Sequence, residues 1–128
     1  MSDSLRSRPS ILLDALSFHP EDGGFTTALR HLFEACSRID EFNFTVACAS
    51  DQAHELRRFG LPLVSIPLPK RGRHLTGALV LPMMAARLRC DAIHCEVSAP
   101  PLMAGVVRSA TVHDLHFLTD PRGLPTGM

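Results

Sequence analysis

The sequence predicts an α/β protein built on one doubly wound, parallel β-sheet. Three observations carry this prediction. Short apolar runs of strand length alternate with segments whose apolar residues recur at helical spacing. Glycine and proline clusters separate the two kinds of segment. Strands that alternate with helices pair in parallel and cover both faces of a sheet. The length of 128 residues suits a single core.

The elements follow in order. Residues 1–9 are polar and read as a tail. Ser10 to Leu16 is an apolar run suited to a buried first strand, and it ends in Ser17-Phe18-His19-Pro20-Glu21-Asp22-Gly23-Gly24, a loop whose Pro and paired Gly are strong breakers. From Phe25 the spacing changes: Leu29, Leu32, Phe33 and Cys36 fall on one helical face, with Arg30, Glu34 and Arg38 opposite. Phe42 to Ala49 reads as the second strand. Ser50 or Asp51 is expected to cap a short helix, Gln52 to Phe59, which Gly60 terminates. Leu63 to Leu68 is the third strand, stopped by Pro67 and Pro69. After the basic turn Lys70-Arg71-Gly72-Arg73, a helix is expected over His74 to Arg89, kinked or started late at Pro82. Asp91 to Cys95 is the fourth strand, a weak helical turn falls around Leu102 to Val106, and Ala110 to His113 is the fifth strand. The domain therefore spans residues 10–119. Residues 120–128, rich in Pro and Gly and without periodicity, form an irregular tail.

Composition excludes several functions. With 45% hydrophobic and 20% charged residues the chain is globular, not disordered. The 13 basic and 13 acidic side chains cancel, which argues against a nucleic-acid binder. Phosphate recognition would then rest on local backbone dipoles and not on a global field. The polar start carries no signal-peptide pattern. The apolar stretch Leu75 to Leu88 is shorter than the ~20 residues needed to span a bilayer and contains Pro82 and Arg87. Cys36, Cys48, Cys90 and Cys95 lack CxxC spacing and read as reduced, buried thiols, so a cytoplasmic location is expected. Lys70-Arg71-Gly72-Arg73 and the apolar helix beside it leave a peripheral contact with an anionic membrane open, against the plain reading of a solvated turn.

Three features fall at the carboxyl ends of strands, where open α/β sheets bind ligands. Gly23 and Gly24 follow the first strand and precede a helix whose free N–H groups and dipole favour a phosphate. This is not GxGxxG, and a simple turn is the alternative. In Asp91-Ala92-Ile93-His94-Cys95-Glu96, the polar groups at the strand end suggest a metal site. Adjacent strand residues point to opposite faces, however, so the three cannot converge, and a buried histidine with a local hydrogen bond is favoured. The third is Thr111-Val112-His113-Asp114-Leu115-His116-Phe117, where His113 leaves a strand towards the cleft and can bond a sugar hydroxyl or a phosphate. His113 and His116 could pair on a metal, but no third ligand converges with them, and a satisfied structural histidine is the alternative.

Taken together, Gly23-Gly24, the Asp91-Ala92-Ile93-His94 strand, Leu81-Pro82 before it, and Thr111-Val112-His113-Asp114-Leu115 with Phe117, Leu118 and Pro121 resemble the N-terminal domain of the GT-B glycosyltransferases of family 4. The resemblance spans roughly residues 10 to 121. It implies the Rossmann-like N-terminal half of a GT-B fold and a retaining transfer of a hexose from a nucleotide-diphosphate sugar to a saccharide or lipid-linked acceptor. Gly23 and Gly24 would lie against the donor phosphates and sugar. His113 would be the catalytic contact to the donor sugar, with Asp114 beside it. The resemblance implies no metal and no cofactor. It also implies a partner, a C-terminal nucleotide-binding domain that does not follow Pro121, so the chain is expected to be a truncated half that is inactive alone. The basic residue usual near the glycine loop is missing, since Phe25-Thr26-Thr27 follows directly. The alternative reading is a non-catalytic α/β module binding a ligand or partner through the same cleft.

Overall fold

The structure is a computed structural model that describes residues 8–18, 23–69, 73–96 and 105–111. It contains one five-stranded sheet, all parallel, in the order β3-β2-β1-β4-β5. The strands are β1 (Ser10–Ala15), β2 (Asn43–Ala49), β3 (Leu63–Ile66), β4 (Ala92–Cys95) and β5 (Val107–Ala110). The helices are α1 (Gly23–Cys36), α2 (Ala53–Leu56) and α3 (Arg73–Arg87), and α2 is flanked by single 3-10 turns at Ser50–Gln52 and Arg57–Phe59. The doubly wound α/β architecture expected from the sequence is the one observed.

The period of two along β1 assigns the two faces. Leu13 and Ala15 point to one side, where Leu29, Phe33 and Cys36 of α1 and Ala53 and Leu56 of α2 close over them. Leu12 and Leu16 point to the other side and meet Leu81, Met84 and Ala85 of α3. Each of these helical sets recurs at three- or four-residue spacing, so each helix buries one stripe. Leu12, Leu29, Phe33 and Ile93 are fully buried. Removing each such side chain from water stabilises the fold by roughly 1.5–3 kcal/mol.

Helix placement follows from the order of the strands. The chain runs from β1 outward to β2 and β3 with α1 and α2 on one face, then returns beneath α3 to β4 on the far side of β1. Right-handed crossovers require the two directions of travel to use opposite faces. The direction reverses between β1 and β4, and a crevice opens at the carboxyl ends of those two strands.

Several local expectations shift. The N-cap positions of the segment after β2 fall on Ala49 and Gln52 and not on Ser50 or Asp51, and a 3-10 turn starts it. Gly60 does end this segment, in the left-handed conformation at φ 75°. Pro82 lies inside α3, which runs past it to Arg87. The largest shift is the fifth strand, which starts earlier than expected, at Val107, and runs to Ala110 with Thr111 beyond its end; Val112 and His113, the rest of the expected Ala110–His113 strand, lie outside the described residues. All four of its residues are exposed, Val107 by 68%. A strand without a buried face leaves no hydrophobic pattern to read, whereas apolar Val112 draws attention further along the chain. The weak turn expected at Leu102 to Val106 lies mostly outside the described residues; Gly105, at φ 75°, and Val106 lead into β5.

Candidate functional site at the carboxyl edge of the sheet

Gly23 and Gly24 form the first two positions of α1 and not a loop before it. The helix therefore begins directly on the glycines, and its first turn carries no acidic side chain. Because α1 follows β1, this N-terminus stands at the reversal between β1 and β4. A helix N-terminus without a carboxylate in its first turn is suited to an anion.

Beside it, β4 and β5 carry a polar cluster. His94 pairs in register with Ser109. Glu96 and Thr111 lie two residues further along their chains, so the period of two places all four side chains on the α1 face of the sheet. Ser109 Oγ lies 2.7 Å from His94 Nδ1, and His94 Nε2 lies 2.8 Å from Glu96 Oε1 and 3.2 Å from Thr111 Oγ1. The Thr111 hydroxyl donates to Glu96 Oε1 at 2.8 Å. Since that hydroxyl spends its proton on Glu96, its oxygen accepts from His94. The bonds are thus consistent with an Nε2–H ring donating to Glu96 and Thr111, and with Ser109 donating to the bare Nδ1. The Glu96 side chain is only 6% exposed and that of His94 21%. A carboxylate this buried needs its donors, and His94 and Thr111 supply two of them.

The cluster works as a clasp that joins the ends of β4 and β5, reinforced by the Thr111 N–H donating to the Cys95 carbonyl at 2.9 Å. Ser109–His94–Glu96 also stands in the order nucleophile, base and carboxylate. Thr111 shares both the ring and the carboxylate, however, and closes the network on itself. The sequence hid this arrangement in its spacing: His94-x-Glu96 and Ser109-x-Thr111 on neighbouring parallel strands share one face. Glu96 is read from the sequence only as an unconvincing metal ligand, and Ser109 is not singled out at all. Among the described residues no cluster of three or more His, Cys, Asp or Glu side chains could hold a metal ion.

On the opposite face, Asp14 of β1 and Cys95 of β4 are register partners across the reversal. Burial pushes the Cys95 thiol up to about 12, and the charge of Asp14 and its hydrogen bond to the thiol add to the effect. The thiol therefore stays protonated and donates to the carboxylate. Cys36, Cys48 and Cys90 are also free and buried, and desolvation raises each of them. Buried neutral thiols are poor nucleophiles, as the reduced-cysteine reading expects. Asp91, the first residue of the Asp91-Ala92-Ile93-His94 pattern, lies at the other end of the sheet. Its Oδ2 accepts from the Ser10 N–H at 2.8 Å, and its own N–H donates to the Ser10 carbonyl at 2.8 Å. Asp91 aligns β4 on β1 and is remote from the carboxyl edge.

His113 and Asp114, together with His116, lie outside the described residues. Thr111, whose place is described, is two residues from His113. A groove of about 500 Å³ runs along the α1 face from Pro9 and Asp91 to His94 and Ser109. Its walls include Leu32, Phe42, Phe44 and Val107, so it is largely an apolar sheet face left uncovered beside α1. The strand reversal outweighs this groove as a ligand position, since the groove extends to the amino ends of the strands.

No family model matches the chain, and neither do the curated proteins or the solved structures compared with it. What the fold and the site define is a class: a Rossmann-like α/β domain whose glycine-started helix and polar clasp stand at the carboxyl edge of its sheet. No helix among the described residues is long and apolar enough to cross a membrane.

Proposed function

We propose that this domain forms the acceptor-side half of the cleft of a retaining glycosyltransferase, which moves a hexose from a nucleotide-diphosphate sugar to a saccharide or lipid-linked acceptor. The observation that carries the reading is the start of α1 on Gly23 and Gly24 at the reversal between β1 and β4, with no carboxylate in its first turn. Glycines let a ligand approach the backbone closely. The N–H groups there are held by the fold, so they meet the charge gathering on a leaving diphosphate without reorganising. By resemblance, His113 bonds the donor sugar and Asp114 lies beside it. The clasp fixes Thr111, from which that segment departs. In such an enzyme a nucleotide-binding domain completes the cleft and excludes water, so this domain by itself is expected to bind donor weakly and to transfer nothing.

The open apolar groove beside α1 favours a second reading, a non-catalytic module that holds a ligand or partner. Saturation-transfer NMR with UDP- and GDP-hexoses separates the two. The first reading expects saturation to reach the hexose protons more strongly than the base. Absence of transfer to any nucleotide sugar at millimolar concentration removes it and leaves the second.

A further inference from the structure

We propose that the outer face of α3 docks on an anionic lipid surface. Leu79 and Met83 are one turn apart on this helix and 67% and 66% exposed. Leu88, just past its end, is 39% exposed. The buried stripe Leu81, Met84 and Ala85 already holds the sheet, so exposed Leu79 and Met83 make α3 apolar on a second side as well. A groove of about 410 Å³ continues that side towards β3, with Val64, Ile66 and Val80 in its wall.

Charge decides what this face meets. The chain has equal numbers of acidic and basic residues, yet none of its acidic residues falls between Glu55 and Asp91. Lys70, Arg71 and Arg73 precede or open α3 in the sequence, and Arg87 and Arg89 stand exposed at its other end. An apolar stripe that ends on exposed Arg87 and Arg89, in a stretch of sequence without acidic residues, matches the boundary between headgroups and acyl chains. There the apolar side chains enter and the guanidinium groups remain with the phosphates. A nucleic acid would not reward Leu79 and Met83. Arg89 adds a second indication, because it occupies the left-handed position after the helix at φ 52°, where glycine is the unstrained residue. A basic side chain stands there at a cost to the backbone.

The test is co-sedimentation of the full chain with vesicles of phosphatidylcholine alone, or of equal parts phosphatidylcholine and phosphatidylglycerol. Binding is expected to the anionic vesicles only and to weaken with salt. Leu79→Glu and Met83→Glu each lower it by about tenfold or more, as loss of a buried apolar side chain requires. Arg87→Ala lowers it about fivefold, the worth of one basic residue near such a surface. Arg89→Gly distinguishes docking from misfolding, since it raises the melting temperature while weakening vesicle binding about fivefold. Three results overturn the proposal: no sedimentation with either vesicle, equal sedimentation with both, or stripe variants that leave sedimentation unchanged. A dimer that dissociates on Met83→Glu while vesicles go unbound also overturns it and assigns the face to a second copy. The proposal stands independently of the donor reading.

Discussion

Replacing His94 by alanine exposes what the clasp contributes. The substitution removes the ring that reaches both Ser109 and Glu96 and leaves the Glu96 carboxylate, 6% exposed, with one fewer donor. Ser109 is exposed, so its hydroxyl finds water and the loss there is small. Nearly all of the penalty falls on the buried carboxylate, and an under-satisfied buried group of this kind costs about 1–3 kcal/mol. Ser109→Ala, which deletes one neutral bond, is expected to cost no more than about 1 kcal/mol. Glu96→Ala in the His94→Ala background removes the under-satisfied carboxylate as well. The double variant should therefore be more stable than the sum of the single losses by about 1–2 kcal/mol. Urea unfolding followed by far-UV circular dichroism, with equal slopes across the set, measures all four corners of the cycle. Additivity within about 0.5 kcal/mol would show that the two side chains do not act together, and the clasp would then be only a set of neighbours.

Further outcomes follow from other parts of the fold. Cys95 keeps its proton to about 12 against an ordinary thiol's 9.0, because it is buried beside Asp14. Between those values the unfolded chain releases the proton and the folded one does not, so stability falls as pH rises through that window, by about 1.4 kcal/mol per unit. Urea midpoints at about pH 8 and about pH 10 measure this; the Cys95→Ala variant loses part of the slope, and an unchanged slope refutes the assignment. A Cβ on Gly60 would meet nothing within 4 Å, so Gly60→Ala carries only the backbone strain of φ 75° and costs roughly 1 kcal/mol in the same assay. Ser109 is expected to resist a fluorophosphonate ester, read by intact mass. Stoichiometric labelling at Ser109 would turn the clasp into a hydrolytic relay.

The sequence made the architecture legible wherever burial wrote a pattern. Leu29, Phe33 and Cys36 betray α1 by spacing, and the apolar runs around Leu13 and Val46 mark central strands buried on both faces. Legibility failed at β5, whose exposed residues carry no pattern, and at the start of α1, because Gly23 and Gly24 read as breakers although they open the helix. The clasp was invisible for a different reason. It joins residues separated by as many as 17 positions, and only the register of β4 on β5 brings Ser109 opposite His94. A period-two pairing of polar residues near two strand ends is the one signal that anticipates it.

The backbone amides at the start of α1 report most directly on the donor site proposed there. The ¹⁵N–¹H spectrum of the labelled chain is recorded while UDP-glucose or GDP-mannose is added. If the account is right, the amides of Gly23, Gly24 and Phe25 shift together and saturate, those of Thr111 and His113 move with them, and Gly24→Val abolishes the response. Shifts confined to the groove residues Leu32, Phe44 and Val107, or no shifts with any nucleotide sugar, would contradict it.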